Sequence, residues 1–359
     1  MKKLFVLVSF VLAASMLLAG CGAATPTAAM PEPATAAPAA PAATAAPAPT
    51  TAPTAAAPAG GEIAVIVKTG DSGYWQNVQA GAVAAEKELR ATTPKLSVTF
   101  LGAQSESNID EEINMVESAI DRNVKAIVLA PSDATALQPA VADAKKAGIP
   151  VIIIDSALAG DPSQYVSFLA TDNKAAGAAI AKTLVDTLTA KGVTTGKLAI
   201  MSYVAGAGSE IGRVGGFTAY IQANSKFTII SPNQYSNSDV ATALNQTTNV
   251  LKANPDLVGI FGSNEPTATG MGQAIKAAGL SGKIVAVGFD GNEPEQAFIK
   301  DGTLTAICVQ SSYNLGYLGV KDAYDVAFNN KTIPASVDTG FLIVTKDNIA
   351  SDAAKNVLY

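Results

Sequence analysis

Several residue types in this sequence could hold a small polar molecule, and they recur at one kind of place, just after a short apolar run. Asp71-Ser72-Gly73-Tyr74-Trp75 follow the run at 63–67, Asp155-Ser156 follow 151–154, and Arg213, Asn264-Glu265, Phe289-Asp290 and Gln310 follow later runs. Carboxylates and amides pair with hydroxyls, Arg presents a rigid fork of donors, and aromatic rings offer flat apolar faces. That mixture suits a sugar, whose hydroxyls each donate and accept while its C–H faces are apolar, better than it suits an amino acid. It contains no nucleophile beside a base. The chain has no histidine, which removes the commonest general base, the commonest metal ligand and the Ser/His and Cys/His nucleophilic pairs. No catalytic residue, cofactor or metal is expected.

Each residue alone has a plainer explanation. Phe289-Asp290-Gly291 reads as a strand end and turn, and Arg213 could pair with Glu210 one helical turn earlier for about 0.3–0.5 kcal/mol. Asn264 could simply cap the helix that Pro266 begins, Asp155 could cap or bind water, and Trp75 could be core. Cys308, inside an apolar strand, reads as core. The glycine-rich stretch from Gly206 to Gly212 is one residue too long for a dinucleotide fingerprint, and no acidic residue closes the strand that follows. It reads as a turn delivering Arg213. The joint pattern, rather than any member, argues for a binding cleft.

The elements that must position these residues follow from periodicity. Apolar runs at 63–67, 96–101, 126–129, 151–154 and 166–169 alternate with amphipathic stretches at 78–89, 109–120 and 137–146. Val151-Ile152-Ile153-Ile154 is the uninterrupted pattern of a strand buried on both faces, so a parallel sheet covered by helices is predicted. The alternation starts again at 198–202, 227–230, 257–261, 284–287 and 304–309, with helices over 240–251 and 268–278. Gly148 and Gly279 stop their helices in matching ways. The fold class is therefore α/β, two doubly wound parallel-sheet domains. In such sheets ligands gather beyond the carboxyl ends of the strands, where the polar residues lie.

The N-terminus is built for export. Lys2 and Lys3 precede an uncharged apolar run at 4–18 and the small residues Ala19 and Gly20, the pattern of a secretory signal over 1–20. The run is shorter than the roughly 20 residues that span a bilayer, and no stop-transfer cluster follows. Leu18-Ala19-Gly20-Cys21 resembles the lipobox of bacterial lipoproteins, which implies cleavage before Cys21 and a lipid anchor on its thiol. Residues 21–61 then carry the lipidated Cys and a tether of mostly Ala, Pro and Thr, too poor in large apolar side chains to make a core. With only Cys308 remaining, no intramolecular disulfide can form. Loss of Lys2 and Lys3 takes the formal charge from −6 to −8, and no basic cluster is present to follow a phosphate backbone, so nucleic acid is excluded as a partner.

From about Gly61 onward the sequence resembles the ribose-binding-protein group of periplasmic sugar-binding proteins, partners of ATP-binding-cassette importers. The resemblance is carried by Ile63-Ala64-Val65-Ile66-Val67 with Tyr74-Trp75, by Pro150-Val151-Ile152-Ile153-Ile154-Asp155, and by Ala170-Thr171-Asp172-Asn173. Gly212-Arg213-Val214-Gly215-Gly216-Phe217, Val287-Gly288-Phe289-Asp290-Gly291, Asn264-Glu265 and Gln310 complete it. It implies a type I periplasmic-binding-protein fold with crossings near Thr171-Asp172, Ser311-Ser312 and Gly340. The first domain is then 62–171 plus 311–339, and the second 172–310 plus 340–359, with closure of the cleft as the mechanism. It further implies a sugar held between Tyr74 and Trp75 on one side and Phe289 on the other, beside Ser72. Asp155, Arg213, Asn264, Asp290 and Gln310 would bond its hydroxyls, and a further contact falls on Tyr235 or Ser238.

Two departures bear on the sugar: Ser156 stands where the ribose binders carry an Arg, and Lys68 replaces a small polar residue. A short side chain at Ser156 opens space, which predicts a hexopyranose such as glucose or galactose first, xylose second and ribose weaker. The implied partners are the sugar, a membrane permease and, through Cys21, the membrane itself. The implied protein is an exported monomer held on the outer face of the cell membrane or in the periplasm. Delivery of the sugar to a membrane receptor is the alternative role. The gene regulators of the lactose-repressor class share the two-domain body, but a signal sequence and the lack of DNA-binding helices argue against them. A carboxylate-dependent hydrolase is disfavoured.

Overall fold

A computed structural model of the chain describes residues 60–230 and 234–359. The signal at 1–20, Cys21 and the tether up to residue 59 lie outside the described residues. The first stretch runs β1 (Glu62–Val67), α1 (Gly73–Leu89), β2 (Ser97–Gly102), α2 (Ile109–Asp121), β3 (Ala126–Leu129), α3 (Gln138–Lys146), β4 (Val151–Ile154) and β5 (Ser167–Ala170). The second runs α4 (Asn173–Ala190), β6 (Thr195–Met201), α5 (Gly208–Asn224), β7 (Lys226–Ile230), α6 (Val240–Ala253) and β8 (Leu257–Gly262), then α7 (Glu265–Ala277), β9 (Val285–Phe289), α8 (Glu293–Asp301) and β10 (Ala306–Gln310). The chain ends with α9 (Ser312–Asn329), β11 (Ser336–Asp338), β12 (Phe341–Thr345) and α10 (Asp352–Lys355).

These strands form two sheets, ordered β11-β5-β4-β3-β1-β2 and β12-β10-β9-β8-β6-β7. Their pairings are parallel except that β12 runs antiparallel to β10, a short edge strand that periodicity does not signal. Along β1, Ile63, Val65 and Val67 face one apolar cluster while Ala64 and Ile66 face another. A strand covered on both sides has no polar face to display, which is why such strands read as continuous apolar runs. The second sheet is covered in the same way.

The expected helix stops are of one type. Beyond α3, Gly148 has φ 75°, its N–H donates to Lys145 O and the N–H of Ile149 to Ala144 O; beyond α7, Gly279 has φ 66°, with Gly279 N to Lys276 O and Leu280 N to Ile275 O. Both are Schellman closures, in which glycine takes the left-handed position without a Cβ penalty.

The chain passes between the sheets three times. β5 lies in the first sheet, but α4 packs on β9 and β10 of the second. From β10, α9 returns to pack on α1, β3 and β4, and β11 of the first sheet leads to β12 of the second. Two passages are tied together: Thr339 N donates to Ala170 O (2.9 Å), and Asp338 Oδ1 accepts from Gly340 N (2.8 Å) and Asp172 N (3.2 Å).

Close helix crossings fix the two sides of the cleft. A Cβ at Gly81 of α1 would lie 2.0 Å from Tyr313 O, and one at Gly316 of α9 would lie 1.9 Å from Val78 O. In the other half, Gly177 of α4 meets Arg213 O at 2.1 Å and Gly216 of α5 meets Lys174 O at 2.0 Å. No larger residue fits either crossing without moving a helix.

Glu112 and Glu210 are among the carboxyls buried in this framework outside the cleft. Glu112 of α2 accepts from Ser132 N at 3.0 Å, leaves Oε1 unpartnered, and is pushed up to about 7 by burial. Burial likewise pushes Glu210 of α5 to about 7. Both values exceed the unfolded one, so their contribution to stability is complete below about pH 4.3 and is lost as pH rises through 7. Each is worth at most about 4 kcal/mol across that range. The melting temperature should therefore fall between pH 5 and pH 8, and Glu112→Gln should flatten the fall. A melting temperature that rose over this interval would contradict the assignment.

Candidate functional site

Most polar residues of the site sit at or just beyond a strand end, and the others lie in the loop or the first turns of the helix that follows. Lys68 follows β1, and Ser72 caps α1 by accepting from Trp75 N (3.4 Å), which places Tyr74 and Trp75 in the first turn. Asp155 follows β4 with φ 63° and donates its N–H to Leu169 O. Asp290 follows β9 with φ 80° and donates its N–H to Cys308 O. Left-handed backbone is uncommon for a residue with a Cβ and better tolerated by Asp than by most. Here each Asp is pinned in that conformation by the neighbouring strand. Asn264 caps α7 by accepting from Thr267 N (3.1 Å), Gln310 ends β10, and Arg213 lies one turn into α5.

These residues surround one cavity, lined by Lys68, Ser72, Tyr74, Trp75, Glu106, Asp155, Tyr203, Ser209, Arg213, Asn264, Glu265, Pro266, Asp290 and Gln310. Strand ends of both sheets contribute to its wall.

The two aspartates differ in charge balance. Asp155 accepts from Lys68 Nζ (2.8 Å), Tyr74 Oη (2.7 Å) and Ser156 Oγ (2.8 Å). Burial pushes its carboxyl up, but Lys68 and Arg213 outweigh burial and hold it below its ordinary value. Burial, helped by Asp155, raises the Tyr74 phenol well above the ordinary range. Asp290 accepts from Gln310 Nε2 (2.8 Å) and Glu265 N (3.2 Å), with no ion pair of its own among the described residues, and burial pushes it up to about 7 against the pull of Arg213.

Arg213 lies flat on the Phe289 ring, 3.9 Å from its centroid, donates from Nε to Asn173 Oδ1 (2.8 Å) and from Nη1 to Ser263 O (3.0 Å), and does not bond Glu210. Its other N–H groups have no protein acceptor among the described residues, and Gln310 Oε1 is buried without a partner. Orphan donors and acceptors facing one cavity are what a hydroxylated ligand satisfies.

Of the residues singled out from sequence, Ser72, Tyr74, Trp75, Asp155, Arg213, Asn264, Asp290 and Gln310 are brought together around the cavity. Four are not. Ser156 is fully buried behind the wall, and the space beside it holds the Lys68 ammonium, 2.6 Å from Ser156 Oγ. The expected opening is therefore filled. Phe289 lies beneath Arg213, so its ring face carries a guanidinium. Tyr235 is 43 % exposed, because the backbone turns left-handed at Asn237 and Ser238 and leaves it at the surface. Ser238 accepts from Asn264 Nδ2 (2.9 Å) and so braces a lining residue instead of lining the cavity.

Lys68, Glu106, Tyr203, Ser209 and Glu265 join the wall without having been counted in it. The strand-end rule had already named Glu265 beyond β8, and Lys68 and Tyr203 stand beyond β1 and β6, where the same rule could have found them. Glu106, which accepts from Trp75 Nε1 at 2.9 Å and fixes the indole edge-on to Tyr74, lies in a loop that carries no periodic signal, and Ser209 is the second residue of α5. Among the described residues no group of three His, Cys, Asp or Glu could hold a metal ion.

Residues 63–331 match the model of the periplasmic binding protein domain. A solute-binding protein of an ABC transporter from Agrobacterium vitis, solved with bound D-fucose, is 57 % identical with a TM-score of 0.79, covering 83 % of this chain and 100 % of that one. A carbohydrate transporter solute-binding protein from Agrobacterium radiobacter, in complex with D-arabinose, is 35 % identical with a TM-score of 0.79, over 84 % of this chain and 99 % of that one. The D-allose-binding periplasmic protein of Escherichia coli is 31 % identical over 291 residues, 80 % of this chain and 91 % of that one.

The buried ion pair provides a test of the geometry. Lys68→Met leaves the Asp155 charge buried without its cation, which should cost about 3–5 kcal/mol. Adding Asp155→Asn to the same protein should restore part of that stability by removing the charge. Urea unfolding of the three proteins checks both statements, and a cost below about 1 kcal/mol for Lys68→Met, the level of an exposed pair, would place the pair in solvent.

Proposed function

This chain belongs to the periplasmic binding protein family, and on that premise we propose that it captures one monosaccharide between its two domains and delivers it to an ATP-binding-cassette importer. It is an exported binding protein and not an enzyme. The observation that carries the reading is the cavity walled by strand ends of both sheets, with Gln310 Oε1 buried there without a partner. Asp155, Lys68, Tyr74 and Trp75 serve the sugar from the domain 62–171 plus 311–339. Arg213, Asn264, Asp290 and Gln310 serve it from 172–310 plus 340–359. Because contacts come from both domains, ligand binding favours the closed arrangement, and the three crossings are the hinge.

The relatives' sugars narrow the class. D-fucose, D-arabinose and D-allose are aldoses, and the protein with D-fucose is 57 % identical to this chain. With Lys68 occupying the space beside Ser156, the preference for a hexose rests on that similarity. D-fucose and D-galactose, which share their ring configuration, are the first ligands to test. The mature protein acts as a monomer held on the membrane by a lipid on Cys21.

A thermal-shift panel of D-fucose, D-galactose, D-allose, D-arabinose and D-ribose tests the ligand class. A sugar at about 100 times its Kd adds roughly 2.7 kcal/mol of stability, and a panel with no shift for any of these sugars would reject monosaccharide capture. Arg213→Ala should weaken the best ligand about ten- to a hundredfold, the cost of hydrogen bonds to a charged group, and calorimetry reads this directly. Cys21→Ser should release the protein from the membrane fraction with sugar affinity unchanged. Continued sedimentation of that variant with membranes would refute the lipid anchor.

A further inference from the structure

The two halves of the cleft also touch each other directly, through lining residues and through one residue outside the wall. The first residue of α7, Glu265, lies across the cleft from the start of α1. Its Oε2 accepts from Tyr74 N at 2.6 Å, placing a carboxylate on the N-terminus of α1, where the unpaired N–H groups and the helix dipole favour negative charge. The same oxygen accepts from Tyr359 Oη at 3.2 Å.

Tyr359 is held from one side only. Its N–H donates to Gly291 O (3.4 Å) and its carbonyl accepts from Gln296 Nε2 (3.1 Å), both in the half built on the second sheet. Its ring reaches the other half. A Cβ added at Gly73 would lie 3.2 Å from it, and its centroid is 6.5 Å from that of Tyr74 at an interplanar angle of 68°, an edge-to-face contact. Tyr359 is not part of the cavity wall.

We infer that Tyr359 is a positioning residue of the closed state, which holds Glu265 against the N-terminus of α1 and lays its ring on Tyr74, and so sets sugar affinity without touching sugar. The inference rests on capture by domain closure. Apparent affinity scales with the fraction of protein able to hold the ligand, so contacts made only on closure strengthen binding even when they lie outside the site. Their loss speeds opening and leaves the encounter between sugar and open cleft unchanged.

Tyr359→Phe keeps the ring and removes the hydroxyl, while Tyr359→Ala removes both. The expected Kd order is wild type, then Phe, then Ala, with the Phe variant about two- to tenfold weaker, the value of one neutral hydrogen bond. Stopped-flow emission of Trp75, the only tryptophan in the chain, should assign the change to koff with kon held within about twofold. Hydrogen exchange at the Tyr74 amide should quicken in the same order.

Wild-type Kd and koff in both variants would overturn the inference. So would a loss confined to kon, or a lowered melting temperature with koff and Tyr74 exchange unmoved, which is the mark of a purely structural role. If the wild type bound no sugar of the panel, capture itself would fail, and Tyr74 exchange in ligand-free protein would still read the contact: no difference between wild type and Tyr359→Ala would overturn it.

Discussion

The buried pair of Lys68 and Asp155 is the constraint around which the cleft is arranged. Neither side chain is more than about 3 % exposed, and removing two charges from water costs several kcal/mol per ion unless the remaining donors and acceptors are satisfied. The surroundings satisfy them. Ser156 bonds both members of the pair, Tyr74 Oη donates to the other Asp155 oxygen, and Lys68 donates its third bond to Ser209 of α5 at 3.2 Å. Ser209 in turn shares a proton with Ser156 at 2.6 Å. One ion pair thus fixes the pose of an aromatic lining residue and engages a helix from the other half.

The two halves solve the same positioning problem in the same way. Each has an aspartate in a left-handed turn beyond a central strand, with its N–H bonded to the adjoining strand. Each has a helix pair crossing at two glycines, α1 with α9 and α4 with α5. The second crossing sets Arg213 directly, because its own carbonyl is the atom that Gly177 approaches. Backbone contact leaves a helix less freedom than side-chain contact, so Tyr74 and Arg213 enter the cleft from helices that cannot roll.

Much of this was legible in the sequence, and the failures share a cause. Val151 to Ile154 announced a doubly covered strand, and the strand-end rule gathered eight residues that do share a cavity. Ser156 was misread because its neighbour lies 88 positions earlier: a lysine beyond a strand reads as solvated until its burial is seen, and a short side chain reads as space until something else fills it. Phe289 failed in the same way, since an exposed ring face and one carrying a guanidinium look alike in sequence. β11 and β12 escaped notice because they are short edge strands of partly exposed residues.

The same electrostatics divides the labour of binding. Around Asp155 the polar groups are already paired and the charge is compensated, so this wall is rigid and complete before any ligand arrives. Around Asp290 they are not: burial raises the carboxyl to about 7, Gln310 Oε1 has no partner, and Arg213 keeps donors unused. A ligand hydroxyl gains little by replacing a satisfied bond on the first wall and much by satisfying an orphan on the second. On the proposed function, discrimination among sugars that differ at one hydroxyl would fall mainly to Arg213, Asp290 and Gln310, with the Asp155 side supplying shape. A missing hydroxyl there leaves a buried polar group unpaired, a larger penalty than any hydrophobic mismatch of one methylene.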